Sequence, residues 1–270
     1  MEFPGKTSDG PRSLMDLTTN GYSFRWTEYL SSGFRAFGND FGIYVAFTLV
    51  YIAITMATGF IPYLGGTIGL FVNPALIAGY AYYGRAQHIN DHRDFNTFFQ
   101  GFRQPQWLPL VIQSLMASFL LVVAIAAATM PFYYEPILKF LDAVQKIETM
   151  PQAEVGEFVM GLWNNELTIA SLIALIVGLA VSTLICLAPY FIVYRSYSFG
   201  EALQASVRVV SMSFPAFLGL IVTLWLVLIL GVLFCCIGFL AAFPIYHLTL
   251  LSAFRDIMGE DQSPNQALNP

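Results

Sequence analysis

Four long stretches of this chain, 41–84, 104–134, 167–194 and 214–254, contain no Asp, Glu, Lys or Arg. A helix needs about 20 consecutive apolar residues to cross roughly 30 Å of hydrocarbon. The first and last stretches are each long enough for two crossings. A helix lying on a water-facing core would show a polar stripe at helical spacing, and these runs show none. Only 11% of the residues are charged, where a soluble domain carries about a quarter. The pattern predicts an all-α, polytopic membrane protein.

Breaks within the runs divide them into six predicted transmembrane helices, at about 41–63, 67–84, 107–133, 168–194, 214–234 and 239–254. The turn "PYLGG" separates the first pair. The last run, at a rise of about 1.5 Å per residue, is too long for one crossing, and "CCIG" divides it. Basic residues mark the cytoplasmic side of a bilayer. Lys6, Arg12, Arg25, Arg35, Arg85, Arg93, Arg103, Arg195, Arg208 and Arg255 all fall on one side of a six-span layout. Lys139 and Lys146 fall on the other, among six acids. Both termini are therefore expected in the cytoplasm, and the segment 1–23 lacks the apolar stretch of a signal peptide. Residues 1–21 and 259–270 read as disordered tails, leaving 22–258 as one membrane domain.

The chain also repeats itself. The shift that carries Trp26 onto Phe199 also carries Leu30, Phe34, Phe37 and Phe41 onto Leu203, Val207, Val210 and Phe214. Spacings of four, four, three and four trace one face of an α-helix. Arg35 falls on Arg208. Each segment reads as an amphipathic helix in the headgroup region, feeding into a span. "TFFQGFRQPQWL" is a weaker third copy, and Pro74, Pro189 and Pro244 recur in the even spans, each followed by an arginine. The predicted unit, an interfacial helix plus a two-helix hairpin, occupies about 22–85, 92–195 and 196–256. Two spans per unit keep the copies parallel. The middle copy carries an insertion, 135–166, expected to form an acidic amphipathic cap on the outer side.

"EALQASVRVV", "GVLFCCIGFLAAFPIYH", "FFQGFR" and the closing "SAFRDIMGE" together resemble bacterial multi-pass membrane proteins related to the membrane domain of membrane-anchored glycerophosphodiester phosphodiesterases. The resemblance covers most of 22–258 and rests on structural motifs. No catalytic barrel of that family is present. The resemblance therefore implies an inner-membrane protein tied to lipids or the envelope, and no phosphodiesterase activity.

Candidate chemistry is sparse. His88 and His92, with Asp91 and Asp94, have the i, i+4 spacing of metal ligands on a helix. They sit where the layout needs a polar connection, and they read as a solvated turn, with Asp91 or Asp94 capping the next helix. His247 lies within the last span, where an ionisable group is uncommon and faces the bundle interior. Tyr246 and Asn73, the latter beside Pro74, are its expected companions in an intramembrane polar site. Arg25, Arg35, Arg103 and Arg208 are the expected lipid-headgroup contacts. Cys186, Cys235 and Cys236 have no metal spacing and read as small apolar residues. Gly65/Gly69 and Ala75/Gly79 have the spacing of close helix packing, within the protein or in a homo-oligomer.

No catalytic triad, phosphate loop or intramembrane carboxylate is present, which argues against an enzyme and against a proton-coupled pump. No cofactor and no nucleic-acid partner is expected. The chain reads as a non-enzymatic protein organising membrane lipids or a membrane partner. The alternative is a small-molecule or lipid permease or channel, with its polar site near Asn73 and His247.

Overall fold

The structure, a computed structural model, describes residues 12–61, 65–89, 93–103, 105–147, 165–233 and 237–260. Along the chain these form α1 (Leu14–Asn20), α2 (Trp26–Asn39), α3 (Phe41–Gly59), α4 (Gly65–His88), a 3-10 helix (Phe95–Phe102), α5 (Trp107–Ile147), α6 (Asn165–Ile185), α7 (Ala188–Arg195), α8 (Phe199–Met212), α9 (Phe214–Leu233) and α10 (Ile237–Met258). No strand occurs among the described residues. Four segments are long and apolar enough to cross a membrane: Phe41–Gly59, Trp107–Tyr133, Leu167–Arg195 and Phe214–Leu233. Residues up to 116 and from 183 onward form one compact unit, and 117–182 form another.

In the first unit the short helices pack cyclically on the inner ones. α2 lies along α10, the 3-10 helix along α4, and α8 along α7. α4 and α10 also pack on each other and on α3. Small residues permit this closeness. A Cβ on Gly33 of α2 would lie 2.9 Å from the Thr249 backbone nitrogen of α10. One on Gly101 of the 3-10 helix would collide with the Ala75 carbonyl of α4, and one on Gly79 of α4 with the Phe98 carbonyl. Ala75 and Gly79 therefore serve an intramolecular contact.

α2 and α8 are both 14 residues long, and their first residues, Trp26 and Phe199, are the pair superposed by the shift read from the sequence. Each ends in a sharp elbow with nearly the same backbone, φ −130° and ψ 39° at Asp40, φ −136° and ψ 42° at Ser213. Tyr29, Gly33 and Phe37 are buried on one; Ala202, Ser206 and Val210, at the same offset, are buried on the other. Trp26 and Phe34 are exposed by 40% and 46%, Phe199 and Val207 by 39% and 38%. The apolar stripe read from sequence is thus split. Phe37 and Val210 turn inward, while the aromatic and aliphatic flank faces outward.

Several expectations change. Residues 14–20 do not join a disordered tail: they form α1, which packs on α8 and buries Leu17. A capping box starts the helix, with the Asp16 backbone donating to Ser13 Oγ and the Ser13 backbone donating to the Asp16 carboxylate. The "FFQGFR" segment is a 3-10 helix, and Phe98 is wholly buried instead of lying at a headgroup surface. Residues 135–147 continue α5 without a break, so this part of the insertion extends the third predicted span and is not a separate cap. The rest of the insertion, "CCIG" up to Cys236 and residues 62–64 lie outside the described residues, as do residues 1–11 and the tail from 261. In the second unit α5 and α6 approach through Gly178, where a Cβ would lie 3.6 Å from Ile125.

A second capping box starts α8, with Ser198 Oγ 2.8 Å from the Glu201 carboxylate. That bond holds the Glu201 carboxyl below its ordinary value. A carboxylate with a depressed folded-state pKa stabilises the fold above its unfolded-state pKa, and the contribution is lost as pH falls through the folded value. Ser198→Ala is therefore expected to lower the thermal midpoint at neutral pH and to change it less at pH 3, as thermal unfolding in detergent would show.

Candidate functional site

The C-terminal ends of α4 and α10 and one flank of α2 enclose a pocket of about 290 Å³. Arg25, the N-cap of α2, and Glu28, Tyr29, Ser32, Arg35 and Asn39 of α2 line it at spacings of three and four, the repeat of one helix face. Gln87 and His88 come from α4, Ser252, Arg255 and Asp256 from α10. Three guanidinium groups here face two carboxylates. Asp256 accepts from the Arg25 guanidinium and, at 2.6 Å, from the Tyr29 hydroxyl. Arg25 also pairs with Glu28 at 2.8 Å. Asp256 raises the Arg25 pKa above its ordinary value, and burial, followed by the Asp256 carboxylate, raises that of Tyr29. Both acids are thereby engaged by Arg25. Arg35, exposed on the next turns of α2, has no ion-pair partner among the described residues.

Asp40 at the α2–α3 elbow holds this wall in place. Its Oδ2 accepts from Arg93 at 3.0 Å, Gln87 Nε2 at 2.9 Å and Tyr83 at 3.3 Å. Gln87 Nε2 also donates to the Ala36 carbonyl, and its Oε1 accepts from Tyr44. The end of α4 is thus tied to the end of α2. Below it Phe98 is stacked between Phe47, at 4.0 Å, and Tyr83, at 4.4 Å.

The arginines after the three prolines each reach towards a neighbouring inner helix. Arg85 of α4 lies 3.4 Å from the Val193 carbonyl of α7 and over the Tyr194 ring. Arg195 of α7 pairs with Glu260, just past α10, at 2.8 Å. Arg255 of α10 lines the pocket with Gly84, Gln87 and His88 of α4. Cations at helix C-termini are favoured by the helix dipole.

Of the expected site residues, His247 and Tyr246 line a separate small cavity between α4, α7 and α10. Asn73 does not line it: its Oδ1 accepts from Thr55 of α3 at 3.5 Å, one turn of α4 away from Ile77. Asn73 and His247 therefore do not line one cavity. Arg25 and Arg35 line the arginine pocket. Arg208 lines a groove between α1 and α8, and Arg103 is exposed after the 3-10 helix. His88 is a pocket residue, while Asp91 and His92 lie outside the described residues. Among the described residues no group of three or more His, Cys, Asp or Glu could hold a metal ion.

Sequence reasoning missed Asp40, Gln87 and Asp256, whose roles depend on partners distant along the chain. The one available signal was position, since Asp40 ends the amphipathic helix and Asp256 follows Arg255 in the closing motif. No family profile, curated protein or solved structure matches the chain.

Proposed function

We propose that this chain is a six-span, non-enzymatic protein of the bacterial cytoplasmic membrane that holds an anionic lipid headgroup in the arginine pocket. The observation that carries the reading is Arg35, a cation without an acidic partner among the described residues, on a helix whose other flank exposes Trp26 and Phe34. An aromatic flank at acyl depth beside a cation at phosphate depth is the composition of a helix at the membrane surface.

Six spans are supported by length and burial together. α4 and α10, of 24 and 22 residues, extend about 36 and 33 Å, enough for the hydrocarbon core. Their lower apolarity is expected of inner helices, because α2, α3 and the 3-10 helix cover faces that would otherwise meet lipid. The elbows and buried positions shared by α2 and α8 support three copies of one unit, joined so that each short helix docks on the preceding copy's inner helix, with α2 closing the ring on α10. Both termini then lie on the arginine-rich, cytoplasmic side.

The test is retention of anionic phospholipid. In nanodiscs containing phosphatidylglycerol and phosphatidylcholine, the wild-type protein should enrich phosphatidylglycerol in its annulus. Arg35→Ala should weaken that preference about fivefold, as loss of about 1 kcal/mol for one interfacial cation implies. Equal retention by both proteins would sink the reading.

A further inference from the structure

The three inner helices meet around a cavity of about 130 Å³. Ile77, Ala78 and Ala81 of α4 and Tyr246, His247 and Leu250 of α10 face it in the same i, i+1, i+4 pattern, and Cys186, Pro189 and Tyr190 border it from the α6–α7 break. The cyclic packing of the short helices therefore has this cavity at its centre. His247 supplies its one imidazole. That ring is packed on Tyr80 at 5.2 Å and Phe243 at 4.8 Å. The residue is half-buried, and the cavity borders the surface it keeps. No hydrogen bond to the ring is made among the described residues. Tyr190 donates at 2.9 Å to the His247 backbone carbonyl, not to the ring.

The geometry points to a binding site for a small uncharged polar molecule, of acetamide or glycerol size, that hydrogen-bonds to His247 and Tyr246. Polar groups that face an enclosed cavity take a partner, from protein, water or ligand. At about 30 Å³ per water, the volume holds about four waters or a guest of four to six heavy atoms. None of the lining side chains carries a fixed charge, so a buried ion would meet no counter-charge and a desolvation penalty of several kcal/mol. One neutral imidazole offers one donor and one acceptor, the complement of an amide or a hydroxyl pair. Ala78, Ala81, Pro189 and Leu250 take the apolar part. The site is separate from the arginine pocket, and it stands or falls independently of lipid binding there.

Cys186 in the cavity wall is a native reporter. In a Cys235→Ser/Cys236→Ser protein it is the sole thiol. Alkylation of the folded protein by iodoacetamide, followed by intact mass, is expected to be slow but complete, and to slow at least threefold in excess unreactive acetamide. Iodoacetate, which carries a charge, should react at least tenfold more slowly than its ratio to iodoacetamide on a free thiol predicts. His247→Phe, which keeps a ring there but removes its donor and acceptor, should abolish the acetamide protection. No alkylation until the protein is denatured overturns the proposal, because a neutral guest then cannot enter. So does alkylation that acetamide does not slow, a result read with His247 in place and free of any folding defect in the variant.

Discussion

Phe98→Ala is expected to produce the largest loss of stability of any single truncation proposed here, about 3–5 kcal/mol. Phe98 has no exposed surface and lies stacked between Phe47 and Tyr83, with Tyr44 and Tyr80 edge-on at 5.8 and 5.9 Å. Truncation removes the contacts of a whole ring on several sides. The surroundings cannot collapse into the space, because the 3-10 helix already touches α4 backbone to backbone at Gly79 and Gly101. Neighbouring Phe102, 38% exposed, is the control and should cost under about 1 kcal/mol on the same substitution. Chemical unfolding of the detergent-solubilised protein measures both. Equal effects would mean that the 3-10 helix lies on a surface and does not plug the bundle.

Asp256→Ala is expected to cost about 2 kcal/mol, because breaking a pair is costlier than never forming it. The carboxylate is 19% exposed and holds both Arg25 and Tyr29. Removing it leaves a guanidinium and a phenol of α2 without their acceptor against α10. The cost stays below that of a fully buried pair because the Arg25 side chain is 47% exposed and solvent screens it. In a double-mutant cycle with Arg25→Ala the two losses should be non-additive by about 1 kcal/mol. The variant also separates stability from binding. With one carboxylate gone, the pocket becomes more cationic, so phosphatidylglycerol enrichment should hold or rise while the unfolding midpoint falls. Additive losses would show that the Arg25–Asp256 pair does not help to hold α2 on α10.

The starts of α3, α5 and α9 fell where the sequence placed them, and α4, α6 and α10 began just ahead of their expected starts. A missing charge over the length of a span and an apolar period of one helical turn are local properties, and the chain carries them openly. The shift that superposes Trp26 on Phe199 was read from the same local pattern. What it concealed was the direction of each face. Trp26, Phe34 and Phe37 form one stripe in sequence, yet Phe37 points inward while Trp26 and Phe34 face outward. An apolar side chain suits both protein and lipid, so hydropathy cannot tell the two apart.

The site shows the same division. His247 as an inward-facing polar residue followed from its chemistry, since an ionisable group facing lipid is costly wherever it sits. Asn73 as its companion did not follow: Asn73 accepts from Thr55 of α3, whereas the His247 ring packs on Tyr80, and which neighbour each meets is decided by tertiary packing. The distribution of the arginines carried an expectation about the side of a bilayer, but none about their partners. Arg25 is matched by Asp256 and Arg93 by Asp40, each from a different helix or connection, whereas Arg35 is left to face the pocket. By itself the sequence determined the helices and their apolarity, because each depends on neighbours within a few turns. Only the tertiary structure decided which short helix docks on which inner one, and so where the cations and the imidazole converge, because ion pairs and close glycine contacts join residues that no local pattern relates.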